Sequence, residues 1–419
     1  MPNAPGDSVD DVQREEDTFA VASWAHTFSN QAVLTSSLLY HYNRANYDGG
    51  PADEPISTTD QRSSTYEGGQ EDLRLTAGRH HLDAGLFGFA QQDNELFHLL
   101  FNADGDDPGD VGGPPLTEAI QPSGGLAAAY LQDTFEATHW LSLSAGVRQT
   151  HFHGNVTENA TDPRLGVTVI LPRIGWALSA SWGKYYQAPP LETLAGPLAQ
   201  FATGSDTGFL PLHGERDTER QFGLTIPLQG WSVEADYFVN EAKNFFDHDA
   251  IGNSDVFLPL TVQGARIKAY ELTVRSPPSW RYGHAHLAFS NQTADGFGGI
   301  TGGLTDFEAG AGAFALDHDQ RNTLNAGLDA TLPEGFFASV NLYYGSGFAN
   351  GDAPPSHLPG HAELDLAAGK RLSRDLSVSL TALNVTNRRL LTDNSLTFGG
   401  VHWNYPFQIY AELRYRFHY

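Results

Sequence analysis

The stretch IYAELRYRFHY, Ile409 to Tyr419, decides how this chain folds. Ile409, Ala411, Leu413, Tyr415, Phe417 and Tyr419 alternate with Tyr410, Glu412, Arg414, Arg416 and His418. Side chains along a strand point to opposite faces in turn, so as a strand this segment has one apolar and one polar face, and no helix separates them that way. The apolar face can rest on a protein core or on lipid. A one-residue slip would carry Arg414, Arg416 and His418 to that face, so the register is strongly fixed.

The rest of the chain narrows the choice. With 419 residues and 40% hydrophobic content, it is too long and too apolar to be mainly disordered. It has no cysteine, which removes disulfides, thiolate zinc sites and cysteine nucleophiles. Fifty acidic against 24 basic residues give a net charge of −26, which argues against nucleic acid as a partner. No window approaches the roughly 20 apolar residues of a membrane helix. Mean hydropathy is −0.34, a value that a barrel also produces, because barrel strands place lipid-facing residues only at alternate positions. The first residues, MPNAPGDSVDDVQREED, show neither the basic nor the apolar region of a signal peptide.

The two-residue period recurs upstream. LSVSLTAL separates Leu376, Val378, Leu380 and Ala382 from Ser377, Ser379 and Thr381. FFASVNLYY, TLNAGLDATL, WSVEADYFV and WLSLSAGVR divide in the same way. About 17 such segments can be counted, roughly 25 residues apart with their links, against the 8–12 of a soluble sandwich. The links alternate in size. TFSNQ, TAGRH, EATHW, LPRIGW, PLQGW, SPPSWRYG, LPEGF and LSRDL are short, whereas the intervals 44–62, 102–125, 188–218, 246–264, 293–322, 345–360 and 388–406 are long and rich in Gly, Pro, Asp and Ser. Short turns at one end and long loops at the other predict an antiparallel transmembrane β-barrel. Trp140, Trp176, Trp231 and Trp280 beside short links fit an interfacial girdle. A soluble propeller would require a 40–50-residue repeat, which the chain lacks. If the last strand descends, an odd count makes the first one, Thr18 to Phe28, descend too. Single-chain bacterial barrels have even strand numbers, so the expectation is the C-terminal part of a larger barrel.

Five segments carry a family resemblance: AAAYLQDTFEATHWLSLSAGVRQTHF, TDPRLGVTVILPRIGWALSASWGKYYQAPPLETL, GERDTERQFGL, DHDQRNTLNAGLDATLPEGFFASVNLYYGSGF and AELDLAAGKRLSRDLSVSLTALNVTNRRLL. In this order they resemble successive barrel segments of TonB-dependent outer-membrane receptors. The resemblance implies an all-β parent barrel of about 22 strands around an N-terminal plug. Residues 1–17 are then an outer-loop remnant or disordered N-terminus, and 18–419 a partial barrel without plug or TonB-contacting box. It further implies a bacterial outer-membrane receptor for a scarce nutrient, such as a siderophore, metal chelate, cobalamin or carbohydrate. Implied partners are outer-membrane lipid, the barrel assembly machinery and, through the plug alone, the TonB complex. Leu413, Tyr415, Phe417 and Tyr419 match the terminal strand that the assembly machinery reads. A passive porin-like channel and a soluble β-rich glycan-binding module are the alternatives.

Candidate chemistry is sparse. Asp247, His248 and Asp249, Asp317, His318 and Asp319, and the pair His151 and His153 are metal-ligand types, but they read better as polar loop and strand-end residues. Asp104, Asp106, Asp107 and Asp110 lack EF-hand spacing and read as a solvated loop. No HExxH, GxSxG or phosphate-binding glycine loop is present, so neither an enzyme nor a cofactor is expected. Arg148, Glu234, Asp236, Glu271, Arg275, Glu412, Arg414 and Arg416 are the charges expected to face a barrel lumen.

Overall fold

In a computed structural model the chain is a succession of antiparallel strands. The structure describes residues 11–50, 56–101, 115–191, 209–250, 257–277, 283–304, 312–316, 319–350, 356–393 and 402–417. The strands are β1 (Val12–Ser29), β2 (Ala32–Asp48), β3 (Ile56–Ala77), β4 (His80–Phe101), β5 (Leu116–Ile120), β6 (Ser123–Thr138), β7 (Leu141–His153), β8 (Thr157–Ile170), β9 (Ala177–Gln187), β10 (Phe209–Leu210) and β11 (Glu215–Leu228). They continue with β12 (Trp231–Ala250), β13 (Phe257–Arg275), β14 (His284–Leu304), β15 (Ala313–Ala315), β16 (Asn322–Thr331), β17 (Phe336–Gly345), β18 (His361–Arg371), β19 (Leu376–Leu383), β20 (Leu391–Asp393), β21 (His402–Trp403) and β22 (Gln408–Tyr415).

Twenty of these strands are linked in one sheet, and β20 pairs with β21 alone. The short β5 lies on β4, and the short β10 and β15 lie on β14. Leaving the short strands aside, each long strand pairs with the next from β1 through to β22. The sheet is not closed: β1 pairs only with β2 and β22 only with β19. Every residue of β1 is exposed.

Register makes the two faces continuous. Directly opposite residues share a face. One row runs Tyr344, Leu324, Phe289, Leu272, Ala235, Leu224, Leu178, Val169 and Leu141 across nine strands without a charged or polar-headed side chain other than the tyrosine. Leu34, Leu73, Ala84, Leu131 and Val147 extend this face through β2 to β7. The adjacent row on the other face runs Thr323, Ser290, Glu271, Asp236, Gly223, Ser179, Thr168, Ser142 and Glu136. Apolar side chains on the first face stay exposed, among them Leu131, Leu165, Phe222 and Tyr270 at 52–62%. A soluble sandwich would bury them.

Glycine on the polar face makes room for rings. Tyr130 stands opposite Gly85, and a Cβ there would meet its ring at 2.6 Å. The short links are tight turns. Gln229 and Gly230 both take positive φ, 50° and 89°, the geometry that lets a two-residue hairpin follow the strand twist.

The long links are shorter than the sequence suggests. β2 runs to Asp48 and β3 starts at Ile56, within the interval read as a loop, and β12 and β13 likewise run on to Ala250 and from Phe257. The ladder of backbone hydrogen bonds continues where apolar alternation stops, as in Thr58–Thr65, so periodicity alone ends the strand too early. The first strand starts at Val12 rather than Thr18, and Glu16 and Asp17 pair across to Arg44 at 3.0 Å and His41 at 2.7 Å. Trp280, Asp104, Asp106, Asp107, Asp110, Asp317, His318, His418 and Tyr419 lie outside the described residues, as do parts of the long intervals.

Val340 and Asn341 offer a matched test. Val340 sits between Leu328 and Leu366 on the apolar face, and Asn341 between Gly327 and Asp365 on the polar one. Val340→Arg should impair membrane insertion by about 2–4 kcal/mol, the cost of a midplane arginine, while Asn341→Arg inserts normally. Protease protection and heat-shifted gel mobility measure the difference.

Candidate functional site

The charges singled out from the sequence stand along the polar face. Arg148 lies between Tyr130 and Asp162, with its guanidinium 5.9 Å from the Phe87 ring and its Nε donating to Thr150 Oγ1 at 3.4 Å. Arg275 donates to both oxygens of Glu234 at 2.8 Å, and Glu271 faces Asp236 directly. Arg414 donates to Glu412 at 2.8 and 3.0 Å, and the backbone N–H of Arg416 donates to Asp375 O at 2.8 Å. On the opposite face Leu413 lies across from Val378, and the Tyr415 and Phe417 rings meet edge-on at 4.8 Å. The two ion pairs, Arg275–Glu234 and Arg414–Glu412, are exposed enough to contribute about 0–1 kcal/mol each.

More enclosed groups collect where the strands approach the long links. Arg62 holds Asp60 and lies 3.6 Å from Glu95, across the β3–β4 ladder. Both carboxylates are largely buried, and Asp93 beside them accepts two hydrogen bonds from Gln91 at 2.9 and 3.0 Å. Glu158, at the start of β8, gathers the link that precedes β11. It accepts from His213 Nδ1 at 2.8 Å, from the Gly214 N–H at 3.3 Å and from Arg216 at 3.3 Å, while the Arg216 guanidinium stacks 5.0 Å from the Tyr186 ring. Asp319 anchors a third group: its Oδ1 accepts the Ala294 N–H at 3.1 Å, and neighbouring Gln320 donates to Tyr343 at 2.9 Å and accepts from the Gly347 N–H at 3.3 Å. Burial raises the Asp319 pKa.

Glu215 and Asp217 form a fourth group, and burial raises the pKa of both. Glu215 opens β11, well beyond Phe222, the last aromatic residue of the apolar face on that strand, and so lies outside the apolar band. Its Oε2 accepts the Phe246 N–H at 2.7 Å, and Asp217 accepts from Asn240 at 3.0 Å. Burial pushes Glu215 up to about 7, against the opposing pull of the Phe246 N–H, and the nearby Asp217 carboxylate adds to the rise. The segment GERDTERQFGL carries this pair, but the sequence signal, acidic residues at 215, 217 and 219, is the same as that of any polar strand face.

Among the described residues no group of three or more His, Asp or Glu side chains is placed to hold a metal ion. His151 and His153 stack at 6.3 Å, and His151 is engaged with Asn159 at 3.0 Å. Asp247 and His248 approach to 4.0 Å. The described members of these groups offer hydrogen-bond acceptors and paired charges.

Glu215 has a folded-state pKa above its unfolded value, so its contribution to stability is full below about pH 4.5 and is lost as pH rises through about 7. Glu215→Gln should remove this dependence, leaving the protein more heat-resistant than wild type at pH 8 and equal to it at pH 4. Heat-modified gel mobility across that range checks the sign.

The family model described as TonB dependent receptor-like, β-barrel, matches residues 2–387. No curated protein matches the chain. Solved structures resemble it at low identity. The siderophore receptor PiuA from Acinetobacter baumannii aligns with a TM-score of 0.73 at 12% identity, over 97% of this chain and 65% of that one. The ferric yersiniabactin uptake receptor FyuA from Yersinia pestis gives 0.74 at 12%, over 100% and 63%. The ferric-catecholate import receptor Fiu from E. coli K12 gives 0.67 at 14%, over 98% and 65%. This chain thus spans just under two thirds of the length of each. The open, two-faced antiparallel sheet matches the wall of these barrels, and the chain belongs to the TonB-dependent receptor-like β-barrel family.

Proposed function

We propose that this chain forms most of the wall of an outer-membrane receptor that takes up a scarce nutrient, with a siderophore or other metal chelate as the ligand class, driven through TonB. The observation that carries the proposal is the family match over residues 2–387 joined to the continuity of the two faces: an apolar row of the kind that suits lipid, and a row with Glu271, Asp236 and Glu136 of the kind that suits a water-filled lumen. Structural neighbours named as a siderophore receptor and as ferric-chelate import receptors favour that ligand class over cobalamin or carbohydrate. In this arrangement Arg148, Glu234, Glu271, Arg275, Glu412, Arg414 and Arg416 hydrate and cross-link the wall. The clusters around Asp60, Glu158 and Glu215 stiffen the outer rim, where the long links carry ligand contacts. Leu413, Tyr415, Phe417 and Tyr419 serve as the strand end read by the assembly machinery. Family members are transport receptors rather than enzymes.

A porin-like channel is the competing reading, and energy coupling separates the two. Expressed from its own locus in a host lacking other ferric-chelate receptors, the gene should restore growth on a ferric chelate only while TonB is present. Restoration that persists without TonB would establish passive passage instead.

A further inference from the structure

The apolar face changes character toward the long-link end of β9, β11, β12 and β13. Phe222, Tyr237 and Tyr270 stand side by side in one row of that face, with the Tyr237 and Tyr270 rings 4.6 Å apart. The next row on the same face reads Trp182, Arg220, Val239, Lys268, and the one beyond it Lys184, Thr218, Glu241, Arg266. Lys243 follows one row further on. With Arg216 opposite Lys243, six cations thus gather on four adjacent strands, in a chain that has only 24 lysines and arginines against 50 acids. Lys184, Arg220, Lys243 and Arg266 are exposed. Val239, flanked directly by Arg220 and Lys268 in the register, is only 7% exposed although it shares their outward face.

Two of the cations are held in place. Glu241 binds Arg220 through one oxygen at 3.2 Å and Arg266 through the other at 3.3 Å. One carboxylate therefore sets two guanidinium groups side by side, and each fork keeps further donors free of it. Among the described residues Asp295 stands opposite Arg266, and Glu158 pairs with Arg216 at 3.3 Å. The cluster stays net positive, immediately above a row of aromatic rings. Planar guanidinium forks suit phosphate oxygens, and the aromatic and aliphatic rows below suit acyl chains.

We infer that this patch is a binding site for a phosphate-bearing lipid of the outer leaflet, with the acyl chains lying against the rows of Phe222, Leu224 and Ala235 and the phosphates on Arg220, Arg266, Lys268 and Lys184. The inference rests on the proposal that the apolar face meets lipid. Charge complementarity selects the occupant: an acidic protein that concentrates cations at the rim of its own apolar band offsets the repulsion that an anionic lipid surface would otherwise exert there.

The full chain, refolded in zwitterionic detergent, is titrated with diphosphoryl lipid A and with the same lipid stripped of its phosphates, and bound lipid is read by native mass spectrometry and by quenching of tryptophan fluorescence. The triple variant Arg220→Gln, Arg266→Gln, Lys268→Gln should bind the diphosphoryl lipid roughly a hundredfold more weakly, the scale set by three cations at an anionic lipid surface. Arg148→Gln with Arg275→Gln, on the opposite face, should bind as wild type does, and removing the phosphates should weaken wild type as much as the triple substitution. A triple variant that inserts normally and retains wild-type affinity for diphosphoryl lipid A overturns the site alone. Equal loss from the opposite-face variant also overturns it, because attraction would then be non-specific. Failure of wild type to enter micelles at all overturns the lipid-facing reading, and the site with it.

Discussion

Everything in this structure depends on the pairing of backbone N–H and C=O groups between neighbouring strands. In hydrocarbon no water is available to satisfy those groups, and each one left unpaired costs several kcal/mol. An antiparallel ladder satisfies them only in a defined register. Register in turn decides which side chains share a face, so a single constraint fixes both the hydrogen bonding and the solvent that each side chain meets. The unbroken row from Tyr344 on β17 to Leu141 on β7 is what such a constraint looks like when nine strands obey it together.

The same constraint explains the two ends of the sheet. At the short-link end, tight turns such as Gln229–Gly230 leave no freedom for slippage. At the other end the strands outrun the apolar band, and the side chains there are free to form the clusters around Glu158, Asp319 and Glu215. Those clusters each join a strand to a link or to a second strand. They hold a rim that would otherwise lack a core, and in two of them burial raises the pKa of the carboxylate, Asp319 in one and Glu215 in the other. The two lateral edges, β1 and β22, present long ladders of backbone groups paired on one side only, the feature that a barrel removes by closure.

Much of this was legible in the sequence. The two-residue alternation of Leu376–Leu383 or Trp231–Val239 names the strand and both of its faces, because lipid on one side and water on the other force the contrast. The strand ends were not legible in the same way. In Thr58–Thr65 both faces are polar, so nothing alternates, and the segment looks like a loop although its ladder is intact. Side chains that act together across strands were also hidden. Glu158 and His213 are brought together by a fold, and Arg220, Glu241 and Arg266 by register, none of which composition or spacing records. Arg148, Glu271 and Arg275 were visible as members of one polar face, whereas the residues they meet, Asp162, Asp236 and Glu234, follow only from the pairing.

The central claim is that one face of this sheet meets lipid and the other meets water. Spin labels placed singly at each position from Phe336 to Gly345, in protein reconstituted into bilayers, measure it directly through collision with oxygen and with a water-soluble nickel complex. Oxygen accessibility should peak at Phe336, Ala338, Val340, Leu342 and Tyr344, and nickel accessibility at Phe337, Ser339, Asn341 and Tyr343, the two signals running out of phase with a period of two residues. High nickel accessibility at every position, or a profile without that alternation, would contradict the account.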